Sequence, residues 1–190
     1  MNPIKSLWNK LKGLRLKKQQ DVDQEEELRQ LSDGLKELIP KILEMSHIKE
    51  SKYTGVFVSI FDKKSGDLLL GKTFGLLTLD EMEKERALSH QGARWLIEHP
   101  DVHTSFESNN EVLAGGVSGR KYIVFVSAIE PMDASALAIL TLTWLEYTEE
   151  DYFLRDKYIR RAECWDQLYD ILDFLDTIYK IDFFDRFDAF

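Results

Sequence analysis

One cysteine in 190 residues leaves no partner for an intrachain disulfide and too few thiolates for a multi-cysteine zinc site. That lone thiol, Cys164, fits a reducing compartment, so a cytoplasmic location is expected. No apolar run approaches the roughly 20 residues that a bilayer-spanning helix needs. The first segment is not a secretory signal, because Lys interrupts its apolar residues and no small-residue cleavage site follows. Positive charge is scarce overall. A net charge of −9 would repel phosphates, which argues against broad nucleic-acid binding by the main body. Internal repeats and low-complexity tracts are also lacking.

Basic residues and an absence of acids coincide at the N-terminus. MNPIKSLWNKLKGLRLKK (1–18) carries six Lys or Arg and no acid, while all 34 acidic residues lie in the rest of the chain. Asn2 and Pro3 make a good helix start. Ile4, Leu7, Trp8, Leu11 and Leu14 then fall on one helical side, with Lys5, Lys10 and Lys12 on the flanks or opposite face. A helix of about three turns is too short to be stable alone in water and needs a surface to fold against. Three surfaces compete: an anionic membrane, an acidic apolar groove on a protein, and nucleic acid. The membrane leads, because interleaved Leu and Trp suit a headgroup boundary better than a phosphate backbone. The expected attachment is peripheral, at the inner face of the membrane.

Residues 19–26 read as a polar linker. A helix is predicted from about Asp23 with Leu28, Leu31, Leu35, Leu38, Ile39 and Ile42 on one face, kinked or broken at Pro40. From Tyr53 the period changes to two, and YTGVFVSIFD, the turn DKKSGD and LLLGKTFG read as a hairpin. TLDE (78–81) has capping-box spacing and opens a helix to about Glu98, stopped by Pro100. HTSFES, NNEVLAGGV and KYIVFVSAIE are predicted as three strands. ALAILTLTWLEY (136–147) reads as a fourth, since Leu140, Leu142 and Trp144 alternate with Thr141 and Thr143. TEED then opens a closing helix expected over about 149–179. The sum is an α+β domain: a mostly antiparallel central sheet of about six strands flanked by helices, with a short N-terminal amphipathic helix and a long C-terminal one.

KELIPKILEMSHIKESKYTGVFVSIFDKKSGDLLLGKTFG resembles the opening of a GAF domain. GARWLIEHPDVHTSFES resembles the middle helix and the strand after it, and SGRKYIVFVSAIE with SALAILTLTWLEYTEEDYFL resembles the closing strands and helix entry. The likeness covers residues 27–180, leaving 181–190 as an acidic-aromatic tail. PAS domains, roadblock-type GTPase-associated domains and haem-binding proteins of the GlcG type match in part. A GAF resemblance implies a small-molecule sensing or dimerisation module. The Asn-Lys-Phe-Asp-Glu constellation of cyclic-nucleotide-binding members has no counterpart here, and Cys164 falls on the predicted closing helix, away from a bilin attachment point. One cysteine also excludes the three-cysteine arrangement of methionine-sulfoxide-reducing members.

Few candidate sites follow. HPDVH sets His99 and His103 four apart, but Pro100 between them ends the helix, so they do not share a face. His90 has no identifiable Ser or Cys partner, since the adjacent Ser89 points elsewhere on a helix. The amides of AGGVSGRK (114–121) could cradle an anion, although glycines in a turn explain it more simply. The resemblance places a ligand pocket near Phe61, Trp95, Phe106 and Phe125, residues that are otherwise core. The closing helix carries Trp165, Leu168, Tyr169, Leu172 and Leu175, with more apolar surface than one stripe uses, which suggests a dimer or partner helix. Phe183, Phe184, Phe187 and Phe190 in the tail need a cover, either the domain or a partner. The expectation is a non-enzymatic regulatory or scaffolding module with protein partners, itself included as a homodimer, and with no cofactor or metal. The alternative is a sensor of an apolar or haem-like ligand acting on a separate output partner.

Overall fold

The computed structural model describes residues 24–45, 48, 53–108, 115–146 and 163–179. Among these, four strands form one antiparallel sheet: β1 (Gly55–Asp62), β2 (Leu68–Gly75), β3 (Gly116–Ser118) and β4 (Tyr122–Ser127), in the order β2-β1-β4-β3. Four α-helices surround it: α1 (Gln24–Ile42), α2 (Leu79–Glu98), α3 (Pro131–Glu146) and α4 (Trp165–Tyr179). The fold is therefore α+β with a helix-flanked antiparallel sheet, of four strands rather than six. The N-terminal segment, the polar linker before Gln24 and the C-terminal tail lie outside the described residues.

Alternation along the central strands sorts side chains to two faces. Val56, Val58 and Ile60 of β1, with Val124 and Val126 of β4, face the larger core with α1, α3 and α4. Phe61, Ile123 and Phe125 face the other way, onto Ala93 and Leu96 of α2. Both faces of β1 and β4 are thus covered, and both strands read as near-continuous apolar runs for that reason.

The local signals behave as their chemistry predicts where the pattern is amphipathic. Helix α1 buries Leu28, Leu31, Leu35, Leu38, Ile39 and Ile42, and it ends two residues after Pro40. Thr78 caps α2: its hydroxyl accepts from the Glu81 amide, and the Glu81 carboxylate accepts from the Thr78 amide. The same amide holds the Glu81 carboxyl below its ordinary range. At the β1–β2 turn the Asp62 carboxylate accepts from the Ser65 and Lys64 amides at 2.8 and 2.9 Å, with the Ser65 bond as the main cause of its lowered pKa.

Three expectations are corrected. Residues 136–146, read as a strand, belong to α3, which begins at Pro131 in the first-turn position proline tolerates. Almost every side chain from Asp133 to Leu142 is buried, so α3 has no polar stripe to betray its period. The hydroxyls of Ser135, Thr141 and Thr143 each donate to the carbonyl four residues back, at 2.9, 2.7 and 2.7 Å, so these residues need no solvent face. HTSFES is not a strand: Thr104 makes one bridge to Val117 and residues Ser105–Ser108 form a 3-10 turn. The closing helix does not run unbroken from 149, because Glu163 has φ of 53° and Cys164 is non-helical. Cys164 sits just before α4, its carbonyl accepting from the Leu168 amide at 3.0 Å.

Candidate functional site

The four aromatics singled out for a pocket do come together on the α2 face in part, but as packing. Phe61 and Phe125 are buried with Ala93, Leu96 and Ile123, and Trp95 packs at the edge of that cluster. Phe106 lies half-buried in the 3-10 turn. Phe125 lies between two glycines. A Cβ on Gly92 of α2 would stand 2.8 Å from its Cδ2 and Cζ, and one on Gly116 of β3 would stand 2.7 Å from its Cδ2. The ring therefore takes up the room that two absent methyl groups leave between sheet and helix. Beside it, the Ser59 hydroxyl donates to Ser89 at 2.9 Å, and Ser89 donates to the Arg86 carbonyl at 2.8 Å. This chain of hydroxyls ends on backbone and leaves Ser89 engaged away from His90.

The histidines do not converge. His90 is exposed, edge-on to Phe61 at 5.1 Å. His99 stacks on Trp95 at 4.4 Å, with Nδ1 2.8 Å from the Trp95 carbonyl, which closes the C-terminus of α2. The His103 carbonyl accepts from the Ser118 amide at 2.8 Å. No cluster of three or more His, Cys, Asp or Glu suited to a metal occurs among the described residues.

At the end of AGGVSGRK, the amides of Arg120 and Lys121, with that of the following Tyr122, hold an anion, and it is the chain's own. The Glu146 carboxylate accepts from the amides of Arg120, Lys121 and Tyr122, at 2.5, 2.7 and 2.6 Å. Three donors offset the poor placement of a carboxylate at the C-terminal end of α3, where the helix dipole is unfavourable. A Cβ on Gly119 would meet the Glu146 carboxylate carbon at 2.6 Å, so the carboxylate uses the room that glycine leaves. Lys63 reinforces the turn, donating from Nζ to the Gly119 carbonyl and from its amide to the Lys121 carbonyl, both at 2.8 Å. Sequence reading favoured plain turn glycines here, and the occupant of the amides, 24 to 26 residues downstream, was invisible.

The proposed partner helix is largely used within the chain. Leu168, Leu172 and Leu175 are buried in the larger core, together with Ile171. Trp165 is half-buried and stacks on Tyr169 at 5.4 Å, and Tyr169 is 42% exposed. The docking residues Ile4 to Leu14 and the tail residues Phe183 to Phe190 lie outside the described residues.

What faces solvent with apolar character lies elsewhere. Leu76 and Leu79, at the corner between β2 and α2, are 78% and 74% exposed. Leu76 follows directly on β2, an edge strand with no neighbour on its outer side among the described residues, and Leu79 opens α2. Sequence reading took LLLGKTFG only as the return of a hairpin, and edge position is a long-range property that local pattern does not carry. Comparison with known protein families, with curated proteins and with solved structures finds no match for the chain.

Proposed function

We propose that this is a non-enzymatic regulatory or scaffolding module that works by protein–protein contact. The observation that carries the reading is the outer edge of β2 running into exposed Leu76 and Leu79. Unpaired strand edges template pairing with another chain, and natural proteins usually blunt or cover them. The features that suggested other chemistry are already employed: Phe125 packs between Gly92 and Gly116, Glu146 fills the amide cradle, and Ser89 is tied to backbone. A sensor of an apolar or haem-like ligand is the weaker reading, since such a ligand needs the volume that Phe125 takes. The test is a photo-crosslinking amino acid at Leu76 in cells that make the protein. Adducts with protein support the reading, and a residue this exposed that captures no protein refutes it.

A second element concerns residues 1–18, on the strength of their six basic residues, absent acids and one-sided Ile4, Leu7, Trp8, Leu11 and Leu14. We infer that they tether the acidic body peripherally to anionic membrane, since one such helix gives weak, reversible attachment. No helix among the described residues is long and apolar enough to cross a membrane. Flotation with anionic vesicles that is lost on deleting residues 1–18, and lost in moderate salt, supports the tether. Flotation that ignores the deletion removes it.

A further inference from the structure

We propose that the Glu85 carboxylate and the Ser127 hydroxyl bind a small primary amine, as its ammonium ion, between the N-terminal half of α2 and the end of β4. Glu85 belongs to the sheet-facing stripe of α2, with Ser89, Gly92, Ala93 and Leu96, and is only 8% exposed. Glutamate is rarely buried to that degree without a partner. Yet Glu85 makes no hydrogen bond or ion pair among the described residues. Its neighbours in sequence, Lys84 and Arg86, face solvent.

The sheet register fixes what lies beneath it. Ser89 bonds Ser59, Gly92 meets Phe125, and Ile97 reaches the Gly66 turn that follows β1. Helix α2 therefore runs in the same direction as β1. One helical turn back from Ser89 is about 5.4 Å, and two strand residues back from Ser59 are about 6.6 Å. That sets Glu85 over the rung of Phe57, whose partner on β4 is Ser127 and on β2 is Thr73. Paired residues share a face, so both hydroxyls lie on the α2 side. Both are sealed from solvent and have no hydrogen-bond partner, and Ser127 as a whole is 8% exposed. A buried hydroxyl left unpaired is a standing cost to the fold. Next to Ser127, Ala128 holds φ of 71°, strain of the kind that gathers at ligand clamps.

The chemistry of these groups selects the ligand. A carboxylate without a cation repels anions. A primary ammonium carries one positive charge and three N–H donors, which the carboxylate and the hydroxyl oxygen accept. A hard divalent metal takes six or more oxygen ligands, and no metal-suited cluster of His, Cys, Asp or Glu occurs among the described residues. The Glu85 oxygens, unlike the two hydroxyls, are not sealed from solvent, so the ammonium enters on their side. Phe57, between Ser127 and Thr73 on the same face, offers an alkyl tail an apolar wall.

The test is an NMR titration of the full chain with ethylammonium chloride at constant ionic strength, beside KCl and tetramethylammonium chloride, which has no N–H. Saturable shifts at the Glu85 and Ser127 amides are expected in the millimolar range with ethylammonium alone. Binding should weaken about tenfold or more in Glu85→Gln, which keeps the side-chain shape, and in Ser127→Ala, the scale of one hydrogen bond to a charged group. Without ligand, Ser127→Ala should melt higher than the parent, because it removes an unpaired buried hydroxyl. Shifts that either control salt reproduces, an absence of saturable shifts, or unchanged affinity in either variant overturns the site. A Ser127→Ala protein that melts lower than the parent also overturns it, since the hydroxyl would then have a partner within the fold.

Discussion

Replacing Gly92 with alanine isolates the wedge on which the α2 face depends. On an exposed helix this substitution should stabilise by up to about 1 kcal/mol, through propensity and a less flexible unfolded chain. Here the new methyl lands on Phe125, with two ring carbons at 2.8 Å and a third closer still. Carbon atoms prefer roughly 3.5 to 4.0 Å, so the ring or the helix has to move by about 1 Å or more. The ring cannot simply retreat, because it is fully buried, packed with Phe61 and Ile123. Lifting α2 instead would loosen Ala93, Leu96 and the Ser59–Ser89 bond together. Overpacking of this kind costs about 1–3 kcal/mol, and the full burial of the ring puts the net loss near the upper end, about 3 kcal/mol. For a chain of this size each kcal/mol is worth about 2–4 °C, so Tm should fall by about 6–12 °C. Urea unfolding of Gly92→Ala, Phe125→Leu and the double variant completes the cycle. The double variant should be more stable than the sum of the singles predicts, since the smaller side chain relieves the clash. A Gly92→Ala protein as stable as the parent, or more so, would refute the packing described.

Three other outcomes can be measured on the same variants bench. Glu146→Ala orphans three turn amides and should cost about 2 kcal/mol in urea unfolding, the scale of hydrogen bonds to a charged acceptor, with Glu146→Gln falling between it and the parent. Ala128 holds φ at 71°, a conformation alanine disfavours, so Ala128→Gly should raise stability by about 0.5–1 kcal/mol, a gain that an unchanged midpoint would deny. Burial pushes the Cys164 thiol from 9.0 up to about 12, and burial likewise raises Tyr53 and Tyr122 above 10.0. Raised folded-state values mean stability that is complete below the unfolded pKa and lost as pH climbs: from about pH 9 toward 12 for the thiol, at about 1.4 kcal/mol per unit of difference. Cys164→Ala should flatten that alkaline decline while the tyrosine part persists, and an unchanged slope would place Cys164 in a wetter setting than it occupies.

Where structure is amphipathic or capped, local residues are enough to read it. The Thr78–Glu81 box, Pro100 and the two-residue period of β1 each act within a few residues, and α2 and the first hairpin stand where those signals put them. Helix α3 escaped because burial on all sides erases period: Leu140, Leu142 and Trp144 alternate by accident of composition, while Ala134, Ala136 and Ala138 behind Pro131 were the better evidence. Thr104 and Ser105 looked like a strand because their partners lie on the far side of a turn, at Val117 and Gly116. Long-range pairing is also what hid the role of Glu146 and the edge position of β2. Conversely, the buried leucines of α4 were correctly seen as too apolar for solvent, but the surface that takes them is the larger core of the same chain.

The most direct test of the account is a photo-crosslinking amino acid at exposed Leu76, compared with the same group at Glu83 on the exposed side of α2, in cells that make the protein. A protein-contact surface beside the β2 edge predicts protein adducts from Leu76 well above those from Glu83. Adducts no more frequent from Leu76 than from Glu83 would contradict it.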